Sequence, residues 1–106
     1  MSKSLPLPPA AKSDPGALEM IRVWIAKEGL HTALRVGFWH DREMDEADAW
    51  GILLADVIRH VAEAHEEASG RDRRETALAI REALEREIVK PTSGVRGSFV
   101  SERKTT

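Results

Sequence analysis

The sequence predicts an α+β domain of two layers, an antiparallel β-hairpin followed by two antiparallel α-helices in the order ββαα. Three observations carry this reading. Residues 20–39 alternate apolar and polar side chains with a period of two, as a half-buried strand pair requires. Residues 45–70 and 72–90 instead repeat their apolar residues every three or four positions. Each helical repeat also begins at an aspartate, and the first ends at Gly70.

The chain opens with a lead-in, residues 1–17, that holds four of its five prolines. Leu5-Pro6-Leu7-Pro8-Pro9 favours polyproline II, so this segment reads as a flexible arm. The ordered domain is expected over residues 18–91, with a loose tail over 92–106.

In the hairpin, Ile21, Val23 and Ile25 share one face with Leu30, Thr32, Leu34, Val36 and Phe38 of the second strand. Because a slip of one residue exchanges the faces, the register must pair odd positions with even ones. A loop at Glu28-Gly29 places Ile25 by Thr32, Val23 by Leu34 and Ile21 by Val36, with glycine supplying positive φ. Glutamate is a poor first residue for that turn, and a four-residue loop is the alternative. The opposite face then gathers Met20, Arg22, Trp24, His31, Arg35 and Trp39. This register sets Arg22 across from Arg35, which repel unless something covers them.

The first helix starts at Asp45, with Glu46 and Asp48 at the positive end of the helix dipole. Trp50, Leu53, Leu54, Val57, Ile58, Val61 and Ala64 form its apolar stripe, widened by Ile52 and Ala55. The stripe is expected to pack on the Ile21/Val23/Ile25/Leu34/Val36 face of the hairpin. The second helix starts at Asp72 with Glu75 three residues on, a capping-box pattern, and carries Ala77, Ile80, Leu84 and Ile88. Pro91 stops it. Phe99 and Val100 are candidates for an extra short C-terminal strand or a docking anchor.

Composition narrows the function. The 106 residues suffice for one domain, and a net charge of -2 provides no overall attraction to nucleic acid or anionic membrane. Absence of cysteine removes disulfides, zinc–thiolate sites and thiol nucleophiles together. No apolar run reaches the roughly 20 residues that span a bilayer. The proline-broken N-terminus does not read as a secretory signal, so a cytoplasmic protein without a membrane partner is expected.

Candidate chemistry is sparse. Asp56 and His60 stand one helical turn apart, with Glu63 or Glu67 nearby, a pattern that can hold a metal or poise a base. His65 lies five residues from His60 and points elsewhere, so a two-histidine metal motif does not form. His40-Asp41-Arg42-Glu43 is more simply a charged connector, and the Arg71, Arg73 and Arg74 cluster a solvated turn. No serine sits in a nucleophile elbow, and the glycines lack phosphate-loop or dinucleotide spacing. The sequence therefore assigns no catalytic residue, no metal site and no cofactor.

Two binding readings follow. An unpaired hairpin edge and a small core both favour self-association, so a non-enzymatic interaction or regulatory module acting as a homodimer is the leading expectation. The alternative is a small-ligand or nucleic-acid binder using the Trp24/Arg22/Arg35/His31 face, since aromatics beside arginine stack bases and hold phosphates. Acidic helices and only two arginines on that face weigh against nucleic acid.

The segments Ser4-Leu5-Pro6-Leu7-Pro8, Asp14-Pro15-Gly16-Ala17-Leu18-Glu19-Met20-Ile21-Arg22-Val23-Trp24-Ile25 and Asp45-Glu46-Ala47-Asp48-Ala49-Trp50-Gly51-Ile52-Leu53-Leu54-Ala55-Asp56 resemble a small bacterial family, mostly α-proteobacterial, known as a domain of unknown function. The resemblance spans nearly the full length. It implies a stand-alone bacterial domain with the proline segment as part of it, and it brings no catalytic or binding residues.

Overall fold

The computed structural model describes residues 3–92 and the backbone of residues 97–101. In chain order the elements are α1 (Pro9–Ser13), β1 (Ile21–Ala26), β2 (Gly29–Val36), α2 (Glu46–Ser69), α3 (Arg73–Val89) and β3 (Gly97–Ser101). The ββαα order is as the sequence predicts. Within the arm, α1 is a single helical turn with Pro9 at its first position, where the missing N–H costs nothing. Within the segment expected to be loose, residues 97–101 add a third strand, so Phe99 and Val100 do lie in a strand.

The sheet order is β1-β2-β3. β1 runs antiparallel to β2, and β3 runs parallel to it, with Leu34 opposite Phe99. A parallel neighbour needs a crossover connection, and α2 with α3 provides it.

The hairpin register differs from the expected one by two residues. Ile21 pairs with Leu34, Val23 with Thr32 and Ile25 with Leu30, and the loop is Lys27-Glu28. Both loop residues take left-handed backbone, at φ 47° and 61°, which costs a side-chain-bearing residue roughly 1–2 kcal/mol. The shift of two keeps every side chain on its predicted face. It also puts Ala33, not Arg35, across from Arg22, which removes the like-charge pairing of the expected register.

Both long helices begin and end where the sequence places their caps. The Asp45 carboxylate accepts from the Asp48 N–H at 3.2 Å, and Asp72 accepts from the Glu75 N–H at 3.1 Å. Gly70 closes α2 at φ 81°, the left-handed conformation that glycine adopts without strain. The two helices are neighbours in an antiparallel hairpin. Its buried residues are small, Ala49 and Ala62 at 2% exposure and Thr76 at 4%.

The packing of the two layers departs from expectation. Among the described residues neither helix runs along the sheet. Val23, Leu30 and Ile25 on the sheet stay exposed, Ile25 by 83%, as do Val57 and Val61 on α2. The connector turns the chain away from the sheet: Gly37 takes φ 94°, and two tight turns follow before α2 (the His40 N–H to the Gly37 carbonyl and the Arg42 N–H to the Trp39 carbonyl). The radius of gyration is 15.9 Å, against about 13 Å for a compact chain of this length.

Candidate functional site

Three features stand out: the polar face of the hairpin, the joint between sheet and helices, and the cleft of the helical hairpin.

On the hairpin face, Arg22 bonds the Glu19 carboxylate at 2.8 Å, and the Arg35 Nε donates to the Glu19 carbonyl at 3.2 Å. Met20 joins them, since its carbonyl accepts from the Arg35 N–H at 3.0 Å. One turn of irregular chain before β1 thus serves both arginines. Trp24 lies across from His31 and remains 38% exposed. The His31 Nε2 is buried without a hydrogen-bond partner among the described residues. Five of the six residues assigned to this face are therefore gathered on it. Trp39 is not. The strand ends at Val36, the chain turns at Gly37, and Trp39 leaves the sheet to meet α2.

Trp39 belongs to the joint. Its ring stands edge-on to Phe38 at 5.2 Å and to Trp50 at 5.9 Å. The centre of the joint is the Glu46 carboxylate. It accepts from the Gly37 N–H at 3.0 Å, the Trp39 N–H at 2.9 Å and the Trp50 Nε1–H at 2.8 Å. Partial burial pushes this carboxyl up, but the donors on Gly37, Trp50 and Trp39 and the nearby His40 outweigh it, and the net shift is downward from 4.5. Arg42 covers the Phe38 ring at 4.0 Å and donates to the Phe38 carbonyl. Sequence reasoning read Glu46 only as a partner of the helix dipole. The signal it passed over was a tryptophan four residues on, at Trp50, in reach of the same side chain.

At the far end of the helical hairpin, Arg73 is half-exposed and paired with two carboxylates. It donates to Glu66 through Nε at 2.9 Å and through its backbone N–H at 3.0 Å, and to Glu63 at 3.0 Å. The Arg73 side chain and its backbone N–H hold the Glu66 carboxyl below its ordinary value. Glu87 is lowered in the same way by the backbone N–H and hydroxyl of Thr92.

Along one side of α2 and α3 runs an open groove of about 750 Å³, lined by Leu54, Ile58, Leu78, Leu84 and Ile88, with Arg59, Arg74 and Arg81 at its rim. It contains no carboxylate, histidine or hydroxyl. The Asp56/His60 pair lies elsewhere and is exposed: His60 Nδ1 is 2.8 Å from the Asp56 carbonyl and 3.2 Å from its carboxylate. Glu63 turns instead to Arg73. Among the described residues, no three potential metal ligands converge. His40 lies 3.6 Å from Asp41 at the surface. Also among the described residues, no helix is long and apolar enough to cross a membrane.

The family model for a domain of unknown function, DUF5076, matches residues 4–92. The chain belongs to DUF5076. Among solved structures, this DUF5076 chain is similar to one from the photosynthetic bacterium Rhodopseudomonas palustrus, provisionally named a pyruvate dehydrogenase. The two share 30% identity and a TM-score of 0.65, over 99% of this chain and 98% of that one. No curated protein matches.

Proposed function

We propose that this chain is a non-enzymatic interaction module that acts as a homodimer. The observation that supports it is unsatisfied apolar surface. Val23, Ile25 and Leu30 on the sheet and Val57, Leu78 and Ile88 on the helices all stay exposed, Ile25 by 83%. Among the described residues the buried apolar side chains are Ala49 and Ala62, too little for an independent core. A second copy is the simplest source of cover, and a cytoplasmic setting accords with a chain that has no cysteine. Among the described residues, the groove presents only arginines as ionisable groups, so the groove itself supplies neither a general base nor a nucleophile. Sedimentation equilibrium across micromolar concentrations is expected to give a mass near 24 kDa, twice that of the 11.8 kDa chain. A strict monomer across that range would sink the proposal.

The buried Nε2 of His31, unpartnered among the described residues, favours a second reading, in which the Trp24 face binds a small ligand or nucleic acid. Arg22→Ala and Arg35→Ala are then expected to abolish binding of a single-stranded oligonucleotide at low salt. Absence of binding by the unmodified chain at low salt ends the nucleic-acid form of this reading.

A further inference from the structure

We infer that the free edge of β1 is the seat of a second copy of this chain, paired antiparallel about a twofold axis at Val23. The inference rests on the homodimer reading and adds the surface and the register that dimer uses.

The backbone decides which groups are available. The Arg35 N–H donates to the Met20 carbonyl at 3.0 Å, which marks these two as a hydrogen-bonded pair. Along the same register Arg22, Trp24 and Ala26 also turn their N–H and carbonyl groups towards β2. Ile21, Val23 and Ile25 therefore turn theirs to the opposite edge. β1 ends the sheet order, and among the described residues neither α1 nor a long helix packs on it. The outward groups form a template for a further strand. Edges that stay free are blunted by proline, lysine or a bulge. β1 has none of these: Ile21–Ala26 pair with β2 without interruption, and Val23 and Ile25 stand exposed.

Symmetry then selects the register. Outward groups meet outward groups only when odd residues pair with odd ones. With Val23 facing Val23 of the second copy, Ile21 faces Ile25 and Ile25 faces Ile21. Every outward N–H and carbonyl of β1 is then matched. The side chains agree. Arg22 lies across from Trp24 of the second copy, a cation over an indole. Glu19, before the strand, falls opposite Lys27, after it. A slide of two residues one way sets Arg22 against Arg22. The same slide the other way sets Ile21 against Lys27, whose φ of 47° takes it out of the strand. These matches identify the occupant: β1 is complementary to itself in both backbone and charge.

Cross-linking tests the register. The chain has no cysteine, so one introduced thiol bridges only to a second copy. Facing residues of a hydrogen-bonded antiparallel pair have Cα atoms about 5.5 Å apart, within disulfide reach. Val23→Cys is expected to oxidise to a covalent dimer. In Ile25→Cys the two thiols stand four residues out of register, roughly 13 Å along the strand, and no covalent dimer is expected. Charge tests the seat. Val23→Lys and Val23→Glu each set like charges face to face at the axis. Each alone is expected to weaken dimerisation by at least about thirtyfold in sedimentation, with far-ultraviolet circular dichroism unchanged. An equimolar mixture of the two is expected to restore the dimer, with lysine facing glutamate. If the unmodified chain is dimeric and both charge variants remain so, the β1 edge is not the seat, although the dimer stands. Equal cross-linking of Ile25→Cys and Val23→Cys would overturn the register. If the unmodified chain is monomeric, this inference and the reading beneath it fail together.

Discussion

Replacing Glu46 with alanine is expected to release the helices from the sheet while leaving each intact. The substitution strips the acceptor from three donors at once, the N–H groups of Gly37 and Trp39 and the indole N–H of Trp50. Donors left unmatched in a partly buried joint must open to water. Among the described residues little else ties the layers together, because neither helix packs along the sheet. Most of the near-ultraviolet dichroism from the Trp39–Trp50 pair should vanish and tryptophan emission should shift to the red, with helical content retained. An unchanged near-ultraviolet spectrum would show that the aromatic contacts alone hold the joint.

Acid should reproduce this release in the unmodified chain. Desolvation raises the Glu46 carboxyl, but the donors around it lower it further, so its folded value lies below the ordinary 4.5. A carboxyl depressed on folding contributes its full stabilisation above the unfolded value. That contribution declines as pH falls from 4.5 and is gone once the folded value is passed. Glu66 and Glu87 are depressed as well, so global stability falls over the same range. The tryptophan signal isolates Glu46. In Glu46→Gln the uncharged amide keeps one acceptor oxygen and turns its NH₂ towards the remaining donors. The signal should therefore be reduced at neutral pH and should lose the part of its acid transition that belongs to this residue. An identical acid transition in Glu46→Gln would assign that transition to another group.

The elements were legible because they depend on local chemistry. Asp45, Gly70 and Asp72 act within one turn of their own positions, and each caps the helix end expected of it. Face parity in the hairpin was legible for the same reason, since alternation survives any shift by two. The register was not, because the choice between Glu28-Gly29 and Lys27-Glu28 depends on whether Arg22 meets Arg35, a cross-strand effect set against local turn preference. Trp39 misled because continued alternation does not reveal that the strand stops at Val36. The expected packing of sheet on helix failed for a broader reason. An apolar face states that it must be covered and is silent on whether the cover belongs to the same chain. Val23, Ile25, Val57 and Leu78 each carry that ambiguity.

Enlarging Ala62 to leucine is expected to be the most damaging single change within the helical hairpin. Ala62 is 2% exposed, and Thr76 on the facing helix is 4% exposed. With residues of this size at the contact, the axes approach more closely than larger side chains permit. Three added carbons do not fit at so close a contact, so the helices must separate or the side chain must leave its preferred rotamer for the open cleft of about 350 Å³ beside Arg59 and Arg74, at about 2 kcal/mol. Separation would also strain the clasp of Arg73 on Glu63 and Glu66, whose distances of 2.8–3.0 Å leave little slack. Ala64→Leu, at an exposed position of the same helix, is the control and should change stability little. Urea unfolding followed at 222 nm, with protein concentration held constant because dimerisation shifts the midpoint, measures the difference. Equal midpoints for the two leucine variants would mean that α2 and α3 adjust freely at Ala62.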